Sequence, residues 1–204
     1  MLTEASPAAS AVWLITGVQA AGKSTTADLL ARQFDRGVHL RGGQFYRWAV
    51  TGWVHPGDAR QQEARRLLDL RYRLAAQVAA EYCAAGFTTV VQDNIFGPDV
   101  LHWLESVRAR PRYLVVLRPS LDVVRARELA RHEATGKTAY RPGELTPEDL
   151  DDHLAATPRL GLWLDNSALT AAQTVEEILH NRAAASIDDR ALAGATMAGG
   201  TTTA

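Results

Sequence analysis

The sequence predicts an α/β domain of three layers, in which helices cover both faces of a five-stranded parallel sheet. Short apolar runs alternate with longer segments that carry apolar residues every three or four positions, a pattern typical of parallel strands and crossover helices. A glycine-rich octet lies between the first apolar run and the first helical segment. The length of 204 residues is sufficient for one such domain.

The first predicted strand, residues 12–16, leads directly into the octet, residues 17–24, which reads G-x-x-x-x-G-K-S. Its glycines let backbone N–H groups point at phosphate oxygens, and the N-terminus of the following helix adds a partial positive charge. Lys23 is expected to reach the β- and γ-phosphates of a nucleotide, and the Ser24 hydroxyl to bind Mg²⁺. The predicted nucleotide-binding residues are Gly17, Val18, Gln19, Ala20, Ala21, Gly22, Lys23, Ser24 and Thr25.

The remaining elements follow from apolar periodicity and from glycine and proline near their ends. Further strands are predicted at residues 38–40, 87–92, 113–117 and 160–164. Helices are predicted at residues 24–34, 60–85, 98–108, 121–132 and 170–182, with another that begins at 146. These elements make a single domain, residues 1–184, and the alanine-, glycine- and threonine-rich residues 185–204 are expected to be a disordered tail.

Ligands of a parallel sheet bind beyond the carboxyl ends of its strands, which draws attention to the residue that ends the third strand. Asp93 stands there, and it is expected to hold Mg²⁺ together with Ser24, or to accept the proton of an attacking hydroxyl group. The alternative is that Asp93 only caps a turn beside Asn94 and Gly97.

Arginines precede a segment of glycine, proline and charged residues, 133–145, that predicts a mobile lid. Arg127 and Arg131 are four residues apart and therefore share one face of their helix. Guanidinium groups that close over a transferring phosphoryl group stabilise its spreading charge, so both arginines are predicted to be catalytic. The alternative is a solvated helix face.

The composition limits the classes of partner. A net charge of −1 gives no basic field, so neither nucleic acid nor a membrane surface is an expected partner. Cys83 is the single cysteine, which excludes an internal disulfide and favours a reducing compartment. No apolar run has the length of a membrane span, and the first residues lack the pattern of a secretory signal. A cytoplasmic protein is therefore expected.

Three features together resemble the small-molecule kinases of the P-loop class: the octet, the segment 92–97 (Gln-Asp-Asn-Ile-Phe-Gly) and the arginine-rich lid. Within that class the sequence resembles the chloramphenicol phosphotransferase-like family, which is related to shikimate and adenylate kinases. The resemblance implies a three-layer P-loop NTPase fold of the kinase type, ATP with Mg²⁺, and a small hydroxyl-bearing acceptor such as an antibiotic or another secondary metabolite. A nucleoside or nucleotide kinase, and a regulatory module that binds a nucleotide without catalysis, are the alternatives.

One departure from these relatives concerns the phosphate acceptor. The relatives carry an aspartate just after the second strand, whereas residues 41–44 here read Arg-Gly-Gly-Gln. Either Asp93 takes over the role of that carboxylate, or the substrate differs, or the chain is a weak kinase. The residues predicted to bind the acceptor are Arg41, Gln44, Tyr46, Arg47 and Asn94.

Overall fold

Five parallel strands in the order β2-β3-β1-β4-β5 form the centre of the protein. The structure is a computed structural model, and it describes residues 10–54, 59–138, 140 and 145–199. The predicted α/β class and the five-stranded parallel sheet are confirmed. The strands are β1 (Val12–Gly17), β2 (Gly37–Arg41), β3 (Thr88–Gln92), β4 (Arg112–Leu117) and β5 (Leu162–Leu164).

Helices cover both faces of this sheet. The helices are α1 (Lys23–Ala31), α2 (Gly43–Arg47), α3 (Gln61–Ala84), α4 (Asp99–Ser106), α5 (Leu121–Thr135), α6 (Pro147–Ala155), α7 (Ala171–His180), α8 (Arg182–Ala185) and α9 (Asp189–Gly199). Helix α1 packs against β1, β2 and β3 and against α7, whereas α3 packs against the same strands and against α4. None of the described helices combines the length and the apolar character needed to cross a membrane.

The two strands β1 and β4 are buried along their whole length. Because helices cover both faces of the sheet, these strands read as continuous apolar runs rather than alternating ones. Trp13 of β1 stacks on Tyr113 of β4, with ring centroids 4.0 Å apart. The parallel pairing brings the carboxyl ends of all five strands to one edge of the sheet, which is where the glycine-rich loop lies.

The C-terminal part corrects the sequence-based expectation of a disordered tail. Helix α9 occupies Asp189–Gly199 and packs against α4. Ile187 and Leu192 are buried, and Asp189 pairs with Arg112, whose side chain is 1% exposed. The composition of this segment does not reveal these few buried contacts, because the residues that they contact lie far away in the sequence. Residues 200–204 of the predicted tail lie outside the described residues.

Candidate active site

The glycine-rich octet, residues 17–24, forms the turn between β1 and α1. Gly17 and Gly22 have φ angles of +147° and +97°, a region that favours glycine. A Cβ atom on Gly17 would lie 2.4 Å from the Leu117 carbonyl oxygen, so only glycine lets the loop pack against the end of β4. The predicted order of strand, glycine-rich loop and helix is present.

A cleft of 590 Å³ opens at this loop. Its lining comes from the loop and the start of α1, from the end of β3 and the residue that follows Asp93, from α5, and from the segment after β5 with the first turn of α7. Most of the predicted nucleotide-binding and catalytic residues therefore share one cavity. The predicted residues that line it are Gln19, Ala20, Gly22, Lys23, Ser24, Thr25, Asn94, Arg127 and Arg131, whereas Gly17, Val18 and Ala21 are buried behind them.

Lys23 is 5% exposed and folds back onto the loop that precedes it. Its Nζ donates hydrogen bonds to the carbonyl oxygens of Gly17, at 2.8 Å, and Val18, at 2.6 Å. Burial, and then the charges of Arg71 and Arg131, lower the pKa of Lys23 to about 7. An anionic ligand would compensate this accumulated positive charge, because no carboxylate of the described residues lines the cleft.

The two arginines of α5 reach the cleft as their spacing predicts. Arg127 is fixed against the loop, since its Nη1 donates to the Ala21 carbonyl oxygen at 3.2 Å and its Nη2 to the Asn166 carbonyl oxygen at 2.9 Å. Arg131 pairs with Glu128, one turn earlier on the helix. The alternative of a fully solvated helix face is not what the structure has, because both side chains are partly buried.

The lid segment touches the loop at one described residue. The Tyr140 hydroxyl donates a hydrogen bond to the Gln19 carbonyl oxygen at 2.9 Å. Residues 139 and 141–144 of the predicted lid, Arg141 among them, lie outside the described residues. The mobility of the lid stays a prediction.

Ser24 has a different neighbour from the one that the sequence predicts. Its hydroxyl donates to Oε1 of Gln92, the last residue of β3, at 3.0 Å. Asp93 is fully buried and outside the cleft lining. Its carboxylate accepts hydrogen bonds from Arg71 Nε, at 3.0 Å, and from the Asn94 N–H, at 2.7 Å, and it accepts another from Arg71 Nη2. The structure therefore does not bring Asp93 and Ser24 together.

The alternation of side chains along a strand explains this difference. Successive residues of β3 point to opposite faces of the sheet, so only one of Gln92 and Asp93 can face the loop. Sequence reasoning chose Asp93 for its charge and missed both Gln92 and Arg71. The sequence carries no signal for this choice, because residues 88–91 of β3 are all buried and do not show which face of the sheet the loop occupies.

The segment after β2 lies against the buried carboxylate. A Cβ atom on Gly42 would lie 1.9 Å from Asp93 Oδ2, so a side chain cannot fit there. The next glycine differs, because a Cβ atom on Gly43 would meet only Arg71 Nη2, at 3.8 Å. The Arg71 guanidinium also lies over the ring of Tyr46, 4.6 Å from its centroid. Arg71 thus ties the segment predicted to bind the acceptor to the carboxylate below it.

The other residues predicted to bind the acceptor differ in exposure. Arg41, Gln44 and Arg47 are exposed and outside the cleft lining, whereas Asn94 is inside it. Tyr46 is partly buried, and its ring packs on Trp53 with centroids 3.5 Å apart. The aromatic residues of this segment can therefore pack together while its exposed polar side chains contact an acceptor.

Two oxygen atoms at the loop are suited to bind a divalent cation that arrives with a nucleotide. The hydroxyl oxygen of Ser24 and the amide oxygen of Gln92 are adjacent, and a hard cation such as Mg²⁺ prefers oxygen ligands. The described residues contain no group of three histidine, cysteine or acidic side chains that could hold a metal ion. A cation at this site would accordingly take most of its ligands from phosphate and water.

Three solved structures of similar fold are kinases. The Mycobacterium tuberculosis APS kinase in complex with AMPPNP and APS is 17% identical, with a TM-score of 0.59 over 87% of this chain and 99% of that one. A sugar kinase from Janibacter sp. is 15% identical, with a TM-score of 0.58 over 86% and 96%. A gluconokinase from Sinorhizobium meliloti is 18% identical, with a TM-score of 0.55 over 86% and 94%. At these identities the likeness shows a shared fold.

The narrower resemblance to chloramphenicol phosphotransferases, and with it an antibiotic acceptor, stays a prediction. No curated protein matches the sequence significantly. A family model described as "AAA domain" matches residues 12–157, from the first residue of β1 to just beyond α6. The match contains the glycine-rich loop, the end of β3 and both arginines of α5, and it spans well over half of the chain. The protein therefore belongs to this AAA domain family, and its fold is that of a P-loop NTPase.

Proposed function

We propose that this protein is a kinase that transfers the γ-phosphoryl group of ATP, bound with Mg²⁺, to a hydroxyl group of a small molecule. The observation that carries the proposal is the cleft at the loop, where Lys23, Arg127 and Arg131 converge and no carboxylate of the described residues is present. Such a concentration of positive charge suits the triphosphate of a nucleotide. The kinase fold of the structural relatives supports the reaction class.

In this reaction the acceptor oxygen attacks the γ-phosphorus, the bond from that phosphorus to the β,γ-bridging oxygen breaks, and ADP leaves. Lys23 and the loop N–H groups hold the phosphates, and Arg127 and Arg131 stabilise the charge on the transferring group. The acceptor proton passes to water or to a basic group of the acceptor, because Asp93 is buried in its ion pair with Arg71. Ser24 would hold Mg²⁺, which when bound would neutralise further charge on the phosphate oxygens.

The segment around α2 indicates the kind of acceptor. Arg41 and Arg47 are exposed there, and the space above Gly43 opens toward Arg71. In place of the aspartate that the resemblance implies after the second strand, this surface carries positive charge. We therefore expect an acceptor with an acidic group near its hydroxyl to bind better than a neutral alcohol.

A nucleotide kinase is the second candidate function. The same arginines favour it, because a nucleoside monophosphate presents a phosphate group as well as an acceptor oxygen. The exposed Trp48, at 65% exposure, and the ring of Trp53 lie in the same part of the chain and offer surfaces on which a base could stack.

A nucleotide-consumption screen tests these proposals. The purified protein is incubated with ATP and Mg²⁺ and with matched pairs of acceptors: hydroxy acids and their amides, and nucleosides and their monophosphates. Consumption that depends on an acceptor, and that Lys23→Ala abolishes, is the expected result. Preference for the acidic member of each pair is expected as well. Tight nucleotide binding without any acceptor-dependent turnover would instead identify a regulatory module.

A further inference from the structure

The end of β3 carries a feature that the proposed function does not use. Gln92 lies in the cleft, and its Oε1 accepts the hydrogen bond from the Ser24 hydroxyl at 3.0 Å. The serine that follows the lysine of a phosphate-binding loop is the protein ligand of Mg²⁺. A side chain that touches this hydroxyl is therefore beside the cation that a nucleotide would bring.

The acidic residue next to it is not available for the same task. Asp93 is 0% exposed, and three donors occupy its two oxygens, two from Arg71 and one from the Asn94 backbone. The backbone of Gly42 also packs closely against this carboxylate, because a methyl group on Gly42 would overlap it. Turning Asp93 toward Ser24 would leave Arg71 without its partner and a polar group unpaired in the core.

Charge leads to the same conclusion. The Asp93 carboxylate is neutralised by Arg71, whose own side chain is 14% exposed. Among the described residues, the polar side chains that line the cleft are neutral or cationic, and none is a carboxylate. Ser24 and Gln92 are both neutral, and their side-chain oxygen atoms, one from the loop and one from β3, are adjacent.

We propose, building on the function proposed above, that Gln92 and not Asp93 is the residue of β3 that holds the nucleotide-bound Mg²⁺, acting with Ser24 through its amide oxygen. Asp93 is then a positioning residue that fixes Arg71 and the segment around Gly42. Because both protein ligands are neutral, the free protein has little affinity for the cation, and the phosphates supply the negative charge that binds it.

Binding measurements separate the two residues. The affinity for the non-hydrolysable ATP analogue AMPPNP is measured by calorimetry with and without MgCl₂, and the ratio of the two affinities gives the effect of Mg²⁺. Gln92→Leu should reduce this ratio by about tenfold, the usual cost of a lost residue around a metal, and leave the affinity without Mg²⁺ nearly unchanged. Gln92→Glu should lower the MgCl₂ concentration needed for half of the effect.

Two further variants serve as controls. Gln33→Leu removes an exposed glutamine on the far end of the first helical segment and should leave the ratio unchanged. Asp93→Asn should also leave the ratio unchanged in protein that melts cooperatively. A full Mg²⁺ effect in Gln92→Leu, or its loss in folded Asp93→Asn, would overturn the proposal. If the unmodified protein binds no AMPPNP under either condition, the proposed function itself fails.

Discussion

The surroundings of the Lys23 ammonium favour the binding of an anion. It is buried beside Arg131, and two backbone carbonyl oxygens accept its hydrogen bonds. Burial of a charge without a carboxylate costs free energy of folding, and the lowered pKa of about 7 reports that cost. Sites where folding tolerates such a cost are enriched in functional residues.

The variant Lys23→Ala tests this view of the loop. We expect acceptor-dependent turnover to fall by at least two orders of magnitude, because one charged donor to the transferring group is lost. The protein should stay folded with a similar melting temperature, since removal of the buried charge offsets the loss of packing and of the two hydrogen bonds to the loop carbonyls. Turnover assays and thermal melting of the same preparation give both results. Near-normal turnover in the folded variant would contradict the assignment of the loop.

The neighbouring glycines 42 and 43 provide a matched pair of substitutions. Gly42→Ala would place a methyl group 1.9 Å from Asp93 Oδ2, so we expect a loss of about 1–3 kcal/mol, the usual cost of overpacking. Gly43→Ala should be neutral or should stabilise by about 0.5–1 kcal/mol, because its Cβ has room and alanine favours a helix. Urea denaturation of both variants measures the difference. Equal stability of the two would show that the carboxylate does not press on this backbone.

The ion pair of Asp93 and Arg71 has its own measurable consequence. Asp93→Asn leaves a partly buried guanidinium without its carboxylate, so we expect a loss of about 3 kcal/mol in the free energy of unfolding. The control is Asp122→Asn, which breaks the exposed pair with Arg125 and should cost at most about 1 kcal/mol. Chemical denaturation compares the two. A loss no larger than in the control would mean that Asp93 is free to take part in chemistry.

At the scale of elements, α5 connects the cleft to the lid. Arg127 and Arg131 leave one face of the helix, and the helix ends at Gly136, which has a φ angle of +66°. Tyr140 then returns to the loop through its hydrogen bond with Gln19. A nucleotide bound at the loop would therefore lie close both to the arginines of α5 and to the hydrogen bond between Tyr140 and Gln19.

Hydrogen exchange of the backbone amides tests the predicted mobility of the lid. In the free protein, we expect residues 133–138 and 140 to exchange much faster than β1, because this segment has few apolar anchors. AMPPNP with Mg²⁺ should slow their exchange, since phosphates would engage Arg131 and the loop. Strong protection that is equal with and without the nucleotide would refute a moving lid.

Across the whole protein, features that depend on neighbouring residues could be predicted from the sequence. Features that depend on contacts between distant residues could not. The glycine-rich loop, the five strands and the spacing of Arg127 and Arg131 depend on near neighbours and could be predicted. The pairing of Ser24 with Gln92 could not, because a shift of one residue along β3 changes the face of the sheet to which a side chain points. Helix α9 was missed for a related reason, since its anchors are defined by residues of β4 and α4.

Arg112 explains why the C-terminal helix belongs to the fold. Its Nη1 donates to the Leu104 carbonyl oxygen at 2.7 Å, and its Nη2 to Asp189 Oδ1 at 2.7 Å. The Ile187 N–H donates to the Arg112 carbonyl oxygen at 3.0 Å, so the chain leading into α9 is bound to the same residue. Burial lowers the pKa of Arg112, but the guanidinium stays charged and needs the carboxylate of Asp189.

The variant Asp189→Ala tests whether α9 closes the core at this point. It leaves a fully buried arginine without its carboxylate and also removes the pair with Arg110, so we expect the free energy of unfolding to fall clearly below that of the control variant. Arg190→Ala, at the exposed neighbour on the same helix, should change stability by less than about 0.5 kcal/mol. Urea denaturation, with exchange of the Leu192 amide as a local probe, distinguishes loss of docking from a general effect. An Asp189→Ala protein as stable as the control would mean that α9 is an appendage and that the carbonyl oxygens of Leu104 and Val107 satisfy Arg112.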